Sequence, residues 1–235
     1  MSALFHPDFC TLLPSHWPAP LHLPGAQLVL AQFDATRLQA DDCARCAVPP
    51  VPGVSKRQSE YLAGRLCARQ ALHLLTHAPQ IPGRDEDGVP LWPAGVCGSI
   101  SHGAGFAAAL VGHSSQWAGL GLDLEKRLKV ERAAKLAGEI LTTAELQRSA
   151  GLDPEAFAQR VTLTFSLKES LFKALYPLVR QRFYFHDAEL LQAGDGRARL
   201  RLLIDLGQGW HSGCELDGQY TDLDQHLLSL IAIAA

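Results

Sequence analysis

Hydrophobic residues in the first half of the chain follow a helical period in one segment and a strand period on either side of it. Within Ser59–His77, apolar side chains such as Leu62, Leu66 and Leu72 recur near helical spacing with arginines between them, which predicts an amphipathic helix. The flanking segments are a predicted strand at Ala26–Asp34, a proline-rich connection at Ala47–Gln58, a turn-rich loop at Ala78–Gly95, and Gly98–Gly112, which leads into an apolar strand.

The second half begins with a strand and continues with helices and then further strands. In Trp117–Leu128, Leu120, Leu122 and Leu124 occupy alternate positions, which is the period of a strand. The spacing predicts helices at Lys129–Leu141, Leu141–Ser149 and Leu163–Val179, followed by antiparallel strands at Arg182–Leu191, Arg197–Leu206, Gly213–Tyr220 and His226–Ala235.

Each half of the chain therefore combines helices with strands, which predicts an α+β fold. We expect two similar, pseudo-symmetric subdomains at 1–115 and 116–235, each a small antiparallel sheet packed with helices. The helices predicted in Ser59–His77 and Leu163–Val179 are candidates for equivalent helices of a duplicated unit. A length of 235 residues fits this division, because domain sizes peak at about 100–150 residues.

Composition and charge narrow the functional classes. Hydrophobic residues make up 47% of the chain and charged residues 19%, enough for a sizeable core. The formal net charge of -3 argues against nucleic-acid binding, which usually needs a basic surface. The N-terminal segment lacks the pattern of a signal peptide, and the apolar run Leu227–Ala235 is shorter than the roughly 20 residues of a membrane helix. We therefore expect a cytoplasmic protein with no membrane partner.

The cysteines suggest one alternative that the spacing does not favour. Cys43 and Cys46, followed by His73 and His77, have the residue types of a zinc finger. The gap between the two pairs is much longer than the roughly 12–15 residues of that motif, and the two histidines lie in the predicted helix. The six cysteines are therefore expected to be free thiols.

Two carboxylates alternate with leucines in the predicted strand Trp117–Leu128. Because the strand period is two, Asp123 and Glu125 are expected to project from the same face. Adjacent carboxylates repel each other, and a hard divalent cation such as Mg²⁺ removes that repulsion. The ordinary alternative is a pair of solvated acids on an edge strand, with Lys126 and Arg127 nearby for ion pairing.

A second acidic position lies in the helix predicted at Leu163–Val179. Glu169 and Lys173 are four residues apart and share a helix face, which is the spacing of an ordinary ion pair worth a few tenths of a kcal/mol. Ser166 and Glu169 also fit a capping box, in which Glu169 would have a purely structural role. The functional alternative is that this apolar helix holds the carboxylate of Glu169 rigidly beside a metal ion.

A third segment combines small residues, hydroxyl groups and a histidine. Gly88–Pro93, which includes Pro90, is followed by Gly98–His102. Small residues allow backbone N–H groups and the Ser101 hydroxyl to approach a phosphate, and His102 can donate a hydrogen bond to it. The ordinary alternative is a turn leading into a strand with a satisfied histidine.

Basic residues cluster at the start of the first predicted helix. Arg65 and Arg69 are four residues apart, and Lys56 and Arg57 precede them. These side chains form either a clamp for several phosphates or an ordinary solvated helix face.

In this order, the segments resemble the 4′-phosphopantetheinyl transferase superfamily, and the resemblance spans Arg57–Tyr176. Within that superfamily, the chain resembles the large, two-subdomain, monomeric transferases that serve siderophore and other peptide synthetases. The subunits of the other, trimeric type are about half as long as this chain. The matching segments are Gly121–Lys126 for G-[IV]-D-x-E-K, with Leu122 in the first hydrophobic slot, Phe165–Lys173 for [FW]-[SCT]-x-K-E-[AS]-x-x-K, Pro90–Pro93 for P-x-W-P, Gly98–His102 for G-S-[IV]-S-H, and Ala63–Arg65 for A-G-R.

The resemblance implies a mechanism and a set of binding residues. Asp123, Glu125 and Glu169 would hold Mg²⁺ with the pyrophosphate of coenzyme A, and Lys173 would neutralise charge on the phosphoryl oxygens. Glu169, directly or through a water, would take the proton of a carrier-protein serine. The serine oxygen would attack the β-phosphate, and 3′,5′-ADP would leave. The residues implied in coenzyme A binding are Lys56, Arg57, Arg65, Pro90, Ser101, His102 and Lys173.

The implied partners are acyl carrier proteins, peptidyl carrier proteins or both, and the sequence leaves that choice open. Such carriers resemble small acidic bundles, so Lys126–Lys135 and Arg180–Phe185 are candidate docking segments by their charge and aromatic residues. One alternative, a serine hydrolase suggested by His102–Gly105, lacks the G-x-S-x-G elbow that such enzymes need. The other is a non-catalytic relative that binds coenzyme A or carrier proteins, although all three carboxylates and Lys173 are present.

Overall fold

The computed structural model describes residues 5–14 and 17–235. It contains two compact units. The first comprises the described residues up to Trp17 together with Leu23–Gln116, and the second comprises Pro18–His22 and Trp117–Ala235. Residues 1–4 and 15–16 of the predicted N-terminal subdomain lie outside the described residues. The division into subdomains at 1–115 and 116–235 stays a prediction.

The first unit is an antiparallel sheet with one long helix. The described part of the sheet has the strand order β1-β2-β6-β5, and β3 and β4 form a separate antiparallel pair. A 3-10 helix at Ala35–Arg37 follows β2. In chain order the elements are β1 (Cys10–Leu12), β2 (Ala26–Phe33), α1 (Asp42–Arg45), α2 (Ser55–Thr76), β3 (Gly83–Arg84), β4 (Pro90–Leu91), β5 (Val96–Gly103) and β6 (Phe106–His113).

The core of the first unit lies between α2 and one face of its sheet. Leu62 and Leu66 of α2 are fully buried and share a hydrophobic cluster with Ala107 and Ala109 of β6. The small alanine side chains at alternate positions of β6 leave room for the leucines of the helix. This packing orients the polar residues of α2 and β5 that the sequence indicated as candidates.

The second unit likewise combines an antiparallel sheet with helices. Its antiparallel sheet has the strand order β7-β11-β10-β9-β8, and a 3-10 helix at Phe185–Asp187 precedes β8. In chain order the elements are β7 (Trp117–Lys126), α3 (Val130–Ile140), α4 (Thr143–Arg148), α5 (Pro154–Val179), β8 (Ala188–Gly194), β9 (Arg197–Leu202), β10 (Glu215–Leu223) and β11 (His226–Ala234).

Helix α5 packs against β7 and β11. Leu167, Leu171 and Leu175 recur at a four-residue spacing on α5 and are fully buried. They join Leu200 and Ile231 of the sheet in one hydrophobic cluster. Mixed helices and antiparallel sheets confirm the predicted α+β class, and the pseudo-symmetry of the two units stays a prediction.

Several predicted boundaries were wrong, each for a local reason. Helix α2 begins at Ser55 rather than Ser59, because the prolines of the preceding connection end at Pro52. Helix α5 begins at Pro154 rather than Leu163, with the Asp153 carboxylate accepting a hydrogen bond from the Ala156 N–H at 2.9 Å.

The strand predicted at Arg182–Leu191 begins only at Ala188. Strand β1 escaped the sequence analysis because three residues are too few to show a period. No helix among residues 5–14 and 17–235 combines the length and the apolar character that crossing a membrane requires.

Candidate functional site

The acidic residues of β7 face helix α5. Leu122 and Leu124 are buried, and the strand alternation places Asp123 on the opposite face from them. The Lys173 ammonium of α5 lies 2.6 Å from Asp123 Oδ1. Asp123 is only 2% exposed, so the alternative of a solvated acid on an edge strand is wrong for this residue, although β7 does lie at the edge of its sheet.

Glycines in β7 allow α5 to approach the strand closely. A Cβ added at Gly121 would overlap the carbonyl oxygen of Ser170, and one at Gly119 would lie 2.5 Å from that of Ala174. The helix backbone therefore occupies the space that side chains at these two positions would need. This close contact places Lys173, one turn away from Glu169, beside Asp123.

Both oxygens of the Asp123 carboxylate accept hydrogen bonds from α5. Lys173 Nζ donates to Oδ1 at 2.6 Å, and Ser166 Oγ donates to Oδ2 at 2.9 Å. Ser166 lies well inside α5, whose N-cap is Asp153. The capping box between Ser166 and Glu169 is therefore wrong, and the Ser166 hydroxyl bonds across to β7 instead.

The remaining two carboxylates of the predicted metal site hold protons more tightly than usual. The pKa of Glu125 is raised to about 7. Burial is the largest cause, the negative charges of Asp123 and Glu169 add to the shift, and the positive charge of Lys173 opposes it. Burial also raises the pKa of Glu169, with Asp123 adding to the shift and Lys173 opposing it. These mutual effects show that the three carboxylates and Lys173 form one electrostatic cluster.

Lys168 has a structural role that the sequence analysis did not assign. Its buried ammonium donates to Glu145 Oε2 at 2.7 Å, to the Ile140 carbonyl at 2.9 Å and to the Phe185 carbonyl at 2.8 Å. All three N–H groups of the ammonium are thus used. Lys168 joins the ends of α3 and α4 to the 3-10 helix that precedes β8, and it has no donor left for a phosphate.

An apolar pocket of about 240 Å³ lies beside Glu169. Its walls are largely aromatic, and Phe172 stacks on Tyr176 and packs against Phe183. Tyr184 is 73% exposed. The candidate docking segment Arg180–Phe185 therefore contributes part of the wall of a pocket that Glu169 also lines.

Among the residues of the first unit that the sequence analysis implied in coenzyme A binding, Arg65 is best suited to bind an anion. Its guanidinium lies over the Tyr61 ring at 4.9 Å, and Arg84, which the sequence analysis missed, lies 5.8 Å from the same ring. Burial, together with Arg84, lowers the pKa of Arg65, and the Tyr61 hydroxyl opposes the shift. Arg65 Nη1 is buried and has no hydrogen-bond partner within the described part of the chain.

The Gly98–His102 segment lies within strand β5 rather than in a turn that leads into a strand. Ser101 is buried and His102 is exposed. A Cβ at Gly64 of α2 would lie 3.4 Å from His102 Cδ2, so the imidazole lies beside the helix position that precedes Arg65. Pro90 is half-buried in β4, two residues before Trp92, whose indole N–H donates to the Gly98 carbonyl at 3.0 Å.

The other candidate basic residues of α2 differ in their exposure and in their contacts. Lys56 is 74% exposed and lies 4.0 Å from Glu60, and Arg57 is exposed. Arg69 donates to the Phe5 carbonyl at 2.7 Å, which gives it a structural contact. Lys56 and Arg57 therefore stay accessible to an anion, and Arg84 lies by the same Tyr61 ring as Arg65.

The acidic cluster of the second unit fits a divalent metal in its chemistry. Within the residues that the structure describes, no three His, Cys, Asp or Glu side chains are already arranged to coordinate an ion. Asp123 and the two carboxylates with raised pKa values offer hard oxygen donors in a site short of positive charge. Lys173 supplies part of that charge, and its side chain is 26% exposed and so has room to move.

Comparison with known proteins identifies the class. The sequence model described as the 4′-phosphopantetheinyl transferase N-terminal domain matches residues 52–112, and that of the 4′-phosphopantetheinyl transferase superfamily matches residues 119–230. The chain belongs to this superfamily, as its motifs predicted, and it is a transferase.

Individual relatives agree with that assignment. The chain is 33% identical to the 4′-phosphopantetheinyl transferase Npt of Nocardia iowensis, over 77% of this chain and 84% of the relative. It is 36% identical to enterobactin synthase component D of Salmonella typhimurium, over 69% of this chain and 67% of the relative. It is also 31% identical to the 4′-phosphopantetheinyl transferase PptT of Mycobacterium tuberculosis, over 65% of this chain and 68% of the relative.

Proposed function

We propose that this protein transfers the 4′-phosphopantetheine group of coenzyme A to a serine of apo acyl or peptidyl carrier proteins and releases 3′,5′-ADP. The observation that carries the proposal is the contact between the Lys173 ammonium of α5 and the buried Asp123 carboxylate of β7. Glu125 lies two residues along the same strand and Glu169 one turn along the same helix. One buried and two half-buried carboxylates beside one ammonium are suited to a metal-assisted displacement at phosphorus.

In the proposed site, Asp123, Glu125 and Glu169 would hold Mg²⁺ against the pyrophosphate of coenzyme A. The metal would supply positive charge for the phosphoryl oxygens. Glu169 accepts the proton of the carrier serine, directly or through one water. A bound Mg²⁺ would favour the ionised form of Glu169, which is the form that accepts a proton. The serine oxygen forms a bond to the β-phosphorus as the bond from that phosphorus to the 3′,5′-ADP oxygen breaks.

Lys173 provides the second positive charge of the proposed site. Its ammonium is hydrogen-bonded to Asp123, and we propose that it turns to the phosphoryl oxygens when coenzyme A binds. This movement breaks the ion pair with the buried Asp123 carboxylate, and a metal ion held by Asp123 would replace the lost positive charge. The charge that develops on the transferred group is then neutralised from the α5 side.

The nucleotide part of coenzyme A is proposed to bind residues of the first unit. The support is the unpartnered Nη1 of Arg65, the neighbouring Arg84, and His102 beside α2. Buried guanidinium N–H groups without a partner bind phosphate oxygens strongly. The proposed binding residues are Lys56, Arg57, Arg65, Pro90, Ser101, His102 and Lys173.

The proposed partners are carrier proteins, and we expect the enzyme to act as a monomer in the cytoplasm. One relative is named as an enterobactin synthase component and two others as 4′-phosphopantetheinyl transferases, and the proposal covers both acyl and peptidyl carriers. Size-exclusion chromatography with light scattering checks the oligomeric state. A mass of twice 25.5 kDa would contradict the monomer.

Intact-mass spectrometry tests the reaction directly. The protein is incubated with coenzyme A, Mg²⁺ and either an apo acyl carrier protein or an apo peptidyl carrier domain. We expect the carrier to gain one phosphopantetheine, equimolar 3′,5′-ADP to appear, and both to be lost when EDTA is added. Measurable coenzyme A binding without any gain on either carrier would instead identify a non-catalytic relative.

A further inference from the structure

Three buried hydroxyl groups lie in a row behind Asp123. Ser170 Oγ lies 2.8 Å from Ser229 Oγ, Ser229 Oγ lies 2.8 Å from Ser166 Oγ, and Ser166 Oγ lies 2.9 Å from Asp123 Oδ2. The three serines are fully buried. Ser166 and Ser170 belong to α5, and Ser229 belongs to β11, whose residues from Leu227 to Ala234 are otherwise apolar. The row therefore joins the acidic strand β7 to its neighbour in the sheet through the helix.

Hydrogen-bond chemistry determines the direction of this row. An ionised carboxylate only accepts hydrogen bonds, so Ser166 donates its single proton to Asp123. Ser166 can then only accept from Ser229, and Ser229 in turn accepts from Ser170. The Ser170 proton is shared with the Ser229 carbonyl oxygen at 3.0 Å. Each hydroxyl thus donates toward the carboxylate, and polarisation along such a chain strengthens its last bond.

The contacts of Asp123 with Lys173 and with Ser166 differ in their exposure to solvent. Lys173 on Oδ1 is partly exposed, whereas Ser166 on Oδ2 is fully buried within α5. An incoming cation can displace the ammonium but cannot displace the serine. The hydroxyl row therefore constrains the rotation of the carboxylate independently of Lys173.

We propose that Ser166, supported by Ser229, is a positioning residue that orients the Asp123 carboxylate for a divalent metal. This inference rests on the proposed function, because it assigns Asp123 to the metal site. Outer contacts of this kind typically change metal affinity or activity by about 10- to 100-fold when they are removed. Neither serine touches coenzyme A or the carrier in this proposal.

The chain offers a matched control on the same helix. Thr164 is fully buried in α5, like Ser166. Its hydroxyl has no hydrogen-bond partner within residues 5–14 and 17–235. Thr164→Val therefore removes a buried hydroxyl from α5 at nearly constant volume without touching the row behind Asp123.

The test is Mn²⁺ binding to the metal-free full chain, followed by electron paramagnetic resonance, together with the Mg²⁺ dependence of transfer. Ser166→Ala should weaken Mn²⁺ binding by about 10- to 100-fold, Ser229→Ala should weaken it less, and Thr164→Val should match wild type. The Mg²⁺ concentration for half-maximal rate should rise in the same order, while kcat at saturating Mg²⁺ stays near wild type. Ser166→Thr, which keeps the hydroxyl, should restore binding.

Each result separates this inference from the function on which it rests. Wild-type Mn²⁺ affinity in both alanine variants would overturn the positioning role while leaving the transferase intact. Equal weakening in Thr164→Val would overturn it as well, since the effect would then come from any lost buried hydroxyl. A wild-type protein that neither binds Mn²⁺ nor transfers phosphopantetheine would overturn the proposed function itself. If Ser166→Ala fails to fold, the comparison of Ser229→Ala with Thr164→Val decides.

Discussion

Glu125 is the residue at which the electrostatics of the site can be measured most directly. Burial and the neighbouring Asp123 raise its pKa from 4.5 to about 7. The folded protein therefore binds this proton more tightly than the unfolded chain does. Its contribution to stability is fully present below about pH 4.5 and is lost as the pH rises through about 7.

The raised pKa of Glu125 in the folded protein predicts how unfolding depends on pH. Between about pH 5 and about pH 8, the urea midpoint of the metal-free protein should fall more steeply in wild type than in Glu125→Gln, which has no proton to lose. The difference between the two slopes isolates Glu125 from the other titrating groups. Parallel slopes would show that this carboxyl titrates near its ordinary pKa.

The candidate acidic and basic residues of the site could be predicted from the sequence. The buried hydrogen bonds that hold them in place could not. The alternation in β7 and the four-residue spacing on α5 indicated Asp123, Glu169 and Lys173 because those periods are local. Ser229 lies in an apolar run, and its hydroxyl acquires a role only when β11 pairs with β7. The three acceptors of Lys168 likewise come from separate elements.

At the scale of elements, the site depends on how closely α5 approaches β7. Gly121 faces the Ser170 carbonyl with no room for a side chain, and two residues later Asp123 meets Ser166 and Lys173. The glycine of the first signature is thus a packing requirement. Local sequence does not reveal it, because the partner backbone is some fifty residues away.

Gly121→Ala should therefore destabilise the protein by at least about 1–3 kcal/mol, as overpacking does elsewhere. Gly138→Ala is the matched control, since Gly138 lies at an exposed position of α3 with nothing within 4 Å of an added Cβ. That change should stabilise the protein by roughly 0.5–1 kcal/mol through helix propensity. Urea denaturation measures both, and equal effects of the two substitutions would refute the close-approach argument.

The types of the elements could be predicted better than their ends. The strand of β2 and the alternating leucines of β7 were confirmed, because each has a long, regular period. The start of α5 was wrong by nine residues because the pattern was read from Leu163, whereas Asp153 and Pro154 begin the helix. The end of a helix depends on one cap, which carries a weaker signal than the repeat that follows it.

At the scale of the whole molecule, each unit contributes a different part of the proposed function. The second unit contains the carboxylates and Lys173, and it matches the superfamily model at residues 119–230. The first unit contains Arg65, Arg84 and His102, and it matches the N-terminal domain model. In the proposed function, the second unit therefore carries out the chemistry and the first unit recognises the nucleotide.

The most direct test of the account is the rate of phosphopantetheine transfer by Glu169→Gln, followed by intact mass at saturating coenzyme A. Loss of the base should lower the rate by about 10²–10⁴-fold, while coenzyme A affinity, measured by calorimetry, stays within a few-fold of wild type. Glu139→Gln, which changes an exposed carboxylate of α3 outside both candidate docking segments, is the control and should transfer at the wild-type rate. A near-normal rate in Glu169→Gln, or an equal loss of rate and of coenzyme A binding, would contradict the base role.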